Sequence, residues 1–195
     1  MKNKIFGSFI GAILVFGWQA ISHMVMNHHD AGFKQVPAQE EVIKLLTNSF
    51  KEEGQYIVPR SDLKASEQEK AKYDEAMKGK PWAMVTYHPV YKSNMGLSIA
   101  RSFITAFISV WLLLFVMGKN AGNFSTVFLK SLGWGFFAFL FVWYNNNIWL
   151  QTPWSVLQGE LIDLVVAWSL CGLWLAYWLN HDRQKGLTYG KGFGV

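Results

Sequence analysis

The chain has 195 residues, 51% hydrophobic and 16% aromatic, with 18 Lys and Arg against 13 Asp and Glu for a formal charge of +5. A sequence pI of about 9.3 would suit a nucleic-acid partner. Charged residues are only 16% of the chain, however, against roughly 25% in a soluble domain, and several long stretches nearly lack them. That distribution excludes an ordinary soluble domain and, with it, a nucleic-acid partner. It describes an integral membrane protein whose first partner is the lipid bilayer.

Crossing the ~30 Å hydrocarbon core takes about 20 mostly apolar residues. Ile5 to Ile21 is uncharged and follows Lys2 and Lys4. Its basic start and apolar middle also fit a signal peptide, with small residues at Ala20-Ile21-Ser22. The length of the run and the bulk of Trp18 and Gln19 favour an uncleaved helix. Gly96 to Gly118 is apolar except for Arg101 and several hydroxyls. Ser131 to Leu150 is uncharged but carries Asn145, Asn146 and Asn147 near its end, and Leu161 to Leu179 contains one acid, Asp163. The expected fold is an all-α membrane bundle of four transmembrane helices, with a small extracytoplasmic α/β insertion between helices 1 and 2.

The domains follow as 1–22 (first helix, cytoplasmic N-terminus), 23–95 (extracytoplasmic α/β domain), 96–180 (helices 2–4) and 181–195 (cytoplasmic tail, with a flexible Gly186–Val195 end). In 23–95, Pro37 with Gln39, Glu40 and Glu41 suits a helix start, and Val42, Leu45 and Leu46 fall on one face. Gln55 to Pro59 reads as a strand, Ser66 with Glu69 as a capping box opening a second helix to about Met77, and Trp82 to Tyr87 as a second strand. Ten basic residues balance ten acidic ones in this segment. So few of its residues are apolar that it is expected to rest on the outer helix ends.

Basic residues are enriched in short cytoplasmic segments. A cytoplasmic N-terminus puts Lys2, Lys4, Lys119, Lys130, Arg183, Lys185 and Lys191 on that side, and leaves the Gln151–Gln158 connection outside with no basic residue. The localisation read from this is a cell (inner) membrane, multi-pass, with both termini cytoplasmic. Small residues four apart favour close helix approach: Gly7 and Gly11, Ser98, Ser102 and Ala106, Ser131 and Gly135, Ala167 and Cys171. Trp143, Tyr144, Trp149, Trp154, Trp174, Tyr177 and Trp178 gather near span ends and read as headgroup-level anchors.

Two sets of residues could carry chemistry. His23, Met24, Met26, His28 and His29 close the first helix, and His88 leaves the second strand. Imidazole and thioether accept copper, with Met favouring Cu(I), and imidazole also accepts zinc, so copper or zinc is the candidate cofactor. The other set, Arg101, Asn145, Asn146, Asn147, Glu160 and Asp163, sits just inside the outer leaflet. Ionisable groups there are paired or functional, and an Arg101–Asp163 ion pair is the expected arrangement. One cysteine excludes an internal disulfide. His181, opposite the other histidines, argues against bis-His haem, and phosphate-loop and GxSxG motifs are absent.

The leading expectation is therefore a non-enzymatic accessory or assembly subunit of a larger membrane complex, with other membrane subunits as partners. The alternatives are metal handling, or a membrane oxidoreductase component, at the His/Met site, and a small-solute carrier using Arg101, Asn146 and Asp163.

Overall fold

Four helices in the computed structural model are long and apolar enough to cross a membrane: Lys4–Met24, Met95–Met117, Phe124–Leu150 and Trp154–His181. The structure describes residues 4–118 and 121–190, apart from the side chains of 27, 31 and 182–190. In chain order the elements are α1 (Lys4–Met24), a 3₁₀ turn (Asn27–Gly32), α2 (Gln39–Ser49), β1 (Gly54–Val58), α3 (Glu67–Met77), β2 (Ala83–Tyr87), α4 (Met95–Met117), α5 (Phe124–Ala138), a π-helical stretch (Phe139–Tyr144), α6 (Asn145–Leu150) and α7 (Trp154–Gly190). They form two compact units, Met1–Lys34 with Asn94–Val195, and Gln35–Ser93.

Two spans are longer than their apolar cores. The third begins at Phe124 rather than Ser131, because the Asn123 side chain accepts from the Thr126 N–H at 2.9 Å and from its hydroxyl at 2.8 Å. An N-cap of this kind satisfies donors that the first turn otherwise leaves bare. Lys130 then lies within the helix and reaches back to the Ala121 carbonyl at 3.0 Å, its stem covering apolar surface while the ammonium finds an acceptor. The fourth begins at Trp154 rather than Leu161, and the helix runs on through Gly190, so the stretch from Gly186 is helical where a loose tail was expected. Residues 191–195 lie outside the described residues.

Packing follows the small residues. α1 lies against both α4 and α7, α5 lies against α7, and α4 touches α5 only sparingly. The shared core holds Ala12, Val15, Ala106, Val110, Leu113, Val127, Ala167, Cys171 and Leu175. A Cβ at Gly7 would stand 2.3 Å from the Trp178 ring, one at Gly11 2.8 Å from Val110, and one at Gly135 2.3 Å from the Trp168 ring. Trp174 and Trp178 are thus packing residues, with the Trp174 indole donating to the Gly7 carbonyl at 3.2 Å. Trp149 stays exposed, as a headgroup-level ring would be. Ser98 and Ser102 depart from the small-residue expectation: both are exposed on α4, and only Ala106 of that series is buried.

The second unit pairs β1 with β2 antiparallel, Gly54 opposite Tyr87 and Val58 opposite Ala83. The order helix, strand, helix, strand is as expected. Its buried apolar residues are Phe50 and Tyr87, with Tyr56 stacked on Phe50 at 3.9 Å. Ser66 caps α3, and Glu69 accepts from the Ser66 N–H at 2.8 Å and its hydroxyl at 2.7 Å. Those bonds hold the Glu69 carboxyl below its usual pKa.

A matched pair of substitutions tests the packing. Gly135→Ala should lower the thermal unfolding midpoint of the detergent-solubilised chain, by an overpacking cost of about 1–3 kcal/mol. Gly133→Ala, whose Cβ meets nothing within 4 Å, should leave the midpoint unchanged or raise it slightly.

Candidate metal centre

Asp163 organises one end of the bundle. It lies on α7 at 6% exposure, in a helix apolar enough to span a membrane, where an uncompensated carboxylate is costly. Its compensation comes from the far end of α1 and the turn that follows. Trp18 donates its indole N–H to Oδ1 at 3.1 Å, and the buried Ser22 hydroxyl donates to the same oxygen. His28 Nε2 lies 3.2 Å from Oδ1, and His29 Nε2 lies 3.0 Å from Oδ2.

Local chain geometry makes this possible. After α1 the backbone extends at Met26 and then tightens into the 3₁₀ turn, closed by the Phe33 N–H on the Asp30 carbonyl. The reversal brings His28 and His29 back beside the α1 end and against α7. Two glycines let the turn approach: a Cβ at Gly159 would stand 2.9 Å from His29 Nδ1, and one at Gly32 3.0 Å from Val156. The three imidazoles form a stack, His23 on His29 at 4.1 Å and His29 beside His28 at 4.5 Å between ring centres.

Within the cluster, His23, His29 and Asp163 each offer a ligand atom, all within 4.8 Å of one another. His29 Nε2 is 3.0 Å and His23 Nδ1 3.6 Å from Asp163 Oδ2. Ligand atoms on a tetrahedral zinc at about 2.0–2.1 Å are spaced roughly 3.3 Å apart, so these donors already stand at coordination spacing. Trp18, Ser22 and His28 hold the other carboxylate oxygen. Glu160 faces the other nitrogen of His29, with Oε1 3.9 Å from Nδ1. His29 Nε2 donates to Asp163; a metal replacing that proton would leave the remaining one on Nδ1, facing Glu160. His23 Nδ1 rests 3.0 Å from the Gln19 carbonyl, a contact that ligation would replace. Its half-exposed side chain provides access from outside.

Hydrolytic chemistry fits less well. Ser22, His29 and Glu160 stand in the order of a nucleophile, base and orienting acid, with Ser22 Oγ 3.1 Å from His29 Nε2. Ser22 is fully buried and donates its hydroxyl hydrogen bond to Asp163, so it is neither accessible nor activated as a nucleophile requires.

The other candidate residues go elsewhere. Arg101 makes no ion pair with Asp163; the ion-pair partners of Asp163 among the described residues are His23, His28 and His29. A carboxylate already surrounded by donors at the end of α1 has no need of the guanidinium. Asn146 and Asn147 secure the turn after α6. The Asn146 carbonyl accepts from Gln151, which is left-handed at φ 51°, and Asn147 donates to the Thr152 carbonyl at 2.7 Å. Asn145 is exposed in the first turn of α6. Met24 and Met26 are exposed. His88 belongs to the second unit, its Nδ1 3.4 Å from Glu53. Sequence reading kept the histidines and Asp163 in separate groups and missed Trp18, Ser22 and Gly159. A glycine one turn before an acid in an apolar helix was the available signal.

No protein-family model, curated protein or solved structure matches the chain. The site's own geometry therefore carries the functional argument.

Asp163→Asn should lower the unfolding midpoint, since an amide keeps one acceptor oxygen where the carboxylate has two and turns a donor towards the histidines. The expected loss is on the order of 1–3 kcal/mol, read by thermal melting in detergent.

Proposed function

We propose that the chain is a four-span membrane protein that handles a divalent first-row transition metal, zinc foremost, at the extracytoplasmic end of its bundle. The observation that carries this reading is the convergence of His23, His29 and Asp163, from three separate segments, at coordination spacing. Two imidazoles and a carboxylate suit zinc or copper(II) better than the Cu(I) that thioether ligands would favour. Three protein ligands leave a position open for water or an exchanging ligand, as in sites that act on a substrate or pass the ion onward. Charge supports the assignment too. A divalent ion between neutral imidazoles balances the two acids, Asp163 and Glu160, in a region where unbalanced charge is costly.

Membrane placement rests on the four apolar helices and on the large side chains they expose, among them Phe115, Phe137 and Phe141 at 64, 61 and 71%. Such surface belongs against lipid. The orientation rests on the basic residues, with Lys4 at the opposite bundle end from Asp163. The solute-carrier expectation has no comparable support, since Arg101, Asn146 and Asp163 do not converge on one site.

Metal analysis of the purified chain is the test. Wild type dialysed against zinc should retain one equivalent, and cobalt substitution should give the visible absorption of a low-coordinate site. His29→Ala should retain none. His28→Ala, which removes only support from Asp163, should bind about 10–100-fold more weakly. Metal content equally low in wild type and His29→Ala would overturn the assignment.

A further inference from the structure

A second polar feature occupies the flank of α4. Ser98, Ser102, Thr105 and Ser109 recur at helical spacing with Arg101 on the same side, and Gln19 of α1 joins them around a cavity of about 470 Å³. Val15, Ala106 and Trp168 supply its apolar wall. Among the described charged residues of the four spans, every other one has a partner. Lys4 reaches the Leu114 carbonyl, Lys130 the Ala121 carbonyl, and Glu160 and Asp163 the histidines. Arg101 has neither an ion pair nor a side-chain hydrogen bond among the described residues, and it is exposed. The side chains of Ser98, Ser102 and Ser109 likewise have no hydrogen-bond partner there, whereas Thr105 bonds back to the Arg101 carbonyl at 2.9 Å.

A guanidinium in a membrane helix is costly unless a partner or the interface solvates it, and an anion is its strongest partner. Its depth says which kind. Arg101 lies about 9 Å along α4 from Met95, at 1.5 Å per residue, just inside the outer leaflet, from where its long side chain reaches up to the headgroups. Ser98 lies about one turn outward of it, and Ser102, Thr105 and Ser109 continue inward, Ser102 to Ser109 spanning roughly 10 Å. A phospholipid arranges its groups in that order: phosphate outermost, ester carbonyls deeper, then chains. Hydroxyls donate to carbonyls, and a guanidinium forks onto phosphate oxygens. The volume is that of a ligand headgroup site, and α4, barely touched by α5, leaves room for chains alongside.

We propose that this cavity holds the headgroup of an anionic phospholipid, with its phosphate on Arg101 and its ester carbonyls on the hydroxyls beneath. The site rests on the membrane placement proposed above and needs no metal, although Gln19, whose carbonyl meets His23, lines it as well.

Native mass spectrometry of the delipidated full chain tests this. The protein would be titrated with phosphatidylglycerol or phosphatidylcholine in mixed micelles, with and without chelator. Wild type should retain one phosphatidylglycerol, and phosphatidylcholine more weakly, whether or not chelator is present. Arg101→Gln should weaken retention about tenfold or more, as expected for a lost charged contact, and Arg101→Lys should recover part of it. Ser102→Leu, which keeps the charge and fills the cavity, should also lose the lipid, and it serves if Arg101→Gln fails to fold. Equal retention by folded wild type and either variant would overturn the proposal. So would displacement of the lipid by millimolar inorganic phosphate, which would identify a site for a free anion.

Discussion

The bundle is organised around one buried carboxylate. Asp163 is buried at 6% exposure, so most of the donors it needs must come from the protein. Four side chains supply them, and all four lie within twelve residues of one another, from Trp18 to His29. The demand fixes the axial register of α1 against α7 and the reversal of the chain after Met24. It also fixes the need for glycine at 159, where any side chain would meet His29. A single unmet charge thereby constrains three segments at once, more tightly than apolar contact alone could.

The rest of the packing keeps that register by a different means. α7 is the helix that α1 and α5 share, burying Leu157, Ala167, Cys171, Leu175 and Ala176. Where α1 and α5 meet it, the contact is a glycine beneath an indole: Gly7 under Trp178 and Gly135 under Trp168. Interlocking of this kind supplies the close contact on which helix association in lipid relies. The polar end specifies position and the apolar length supplies adhesion. α4 packs chiefly on α1 and carries a polar flank.

Much of the architecture was legible in the sequence because apolar length and local signals are one-dimensional. The four spans, the Ser66 capping box and the helix–strand alternation all read directly. Two boundaries moved outward because Asn123 and the residues from Trp154 carry helix past the end of the apolar run. The site was harder. His28, His29 and Asp163 were all visible as unusual, yet their sequence separation hid the contact, and the nearest charge of opposite sign, Arg101, looked the better partner. The π-helical stretch at Phe139–Tyr144 compounds this, since its wider turns rotate Asn145–Asn147 away from the face that a 3.6-residue period assigns. Trp18 and Ser22 carried no signal, being an ordinary interfacial indole and a small residue near a helix end.

The reversal after Met24 also has a temporal meaning. Trp18, Ser22, His23, His28 and His29 all emerge early in synthesis, whereas Asp163 arrives on the final span, with contacts bridging well over a hundred residues. Until α7 is in place, the early donors have no acceptor and the candidate metal ligands are incomplete. Chains fold progressively from the N-terminus, so the polar end of this bundle closes last. Occupation of the centre would then report that every helix has reached its place.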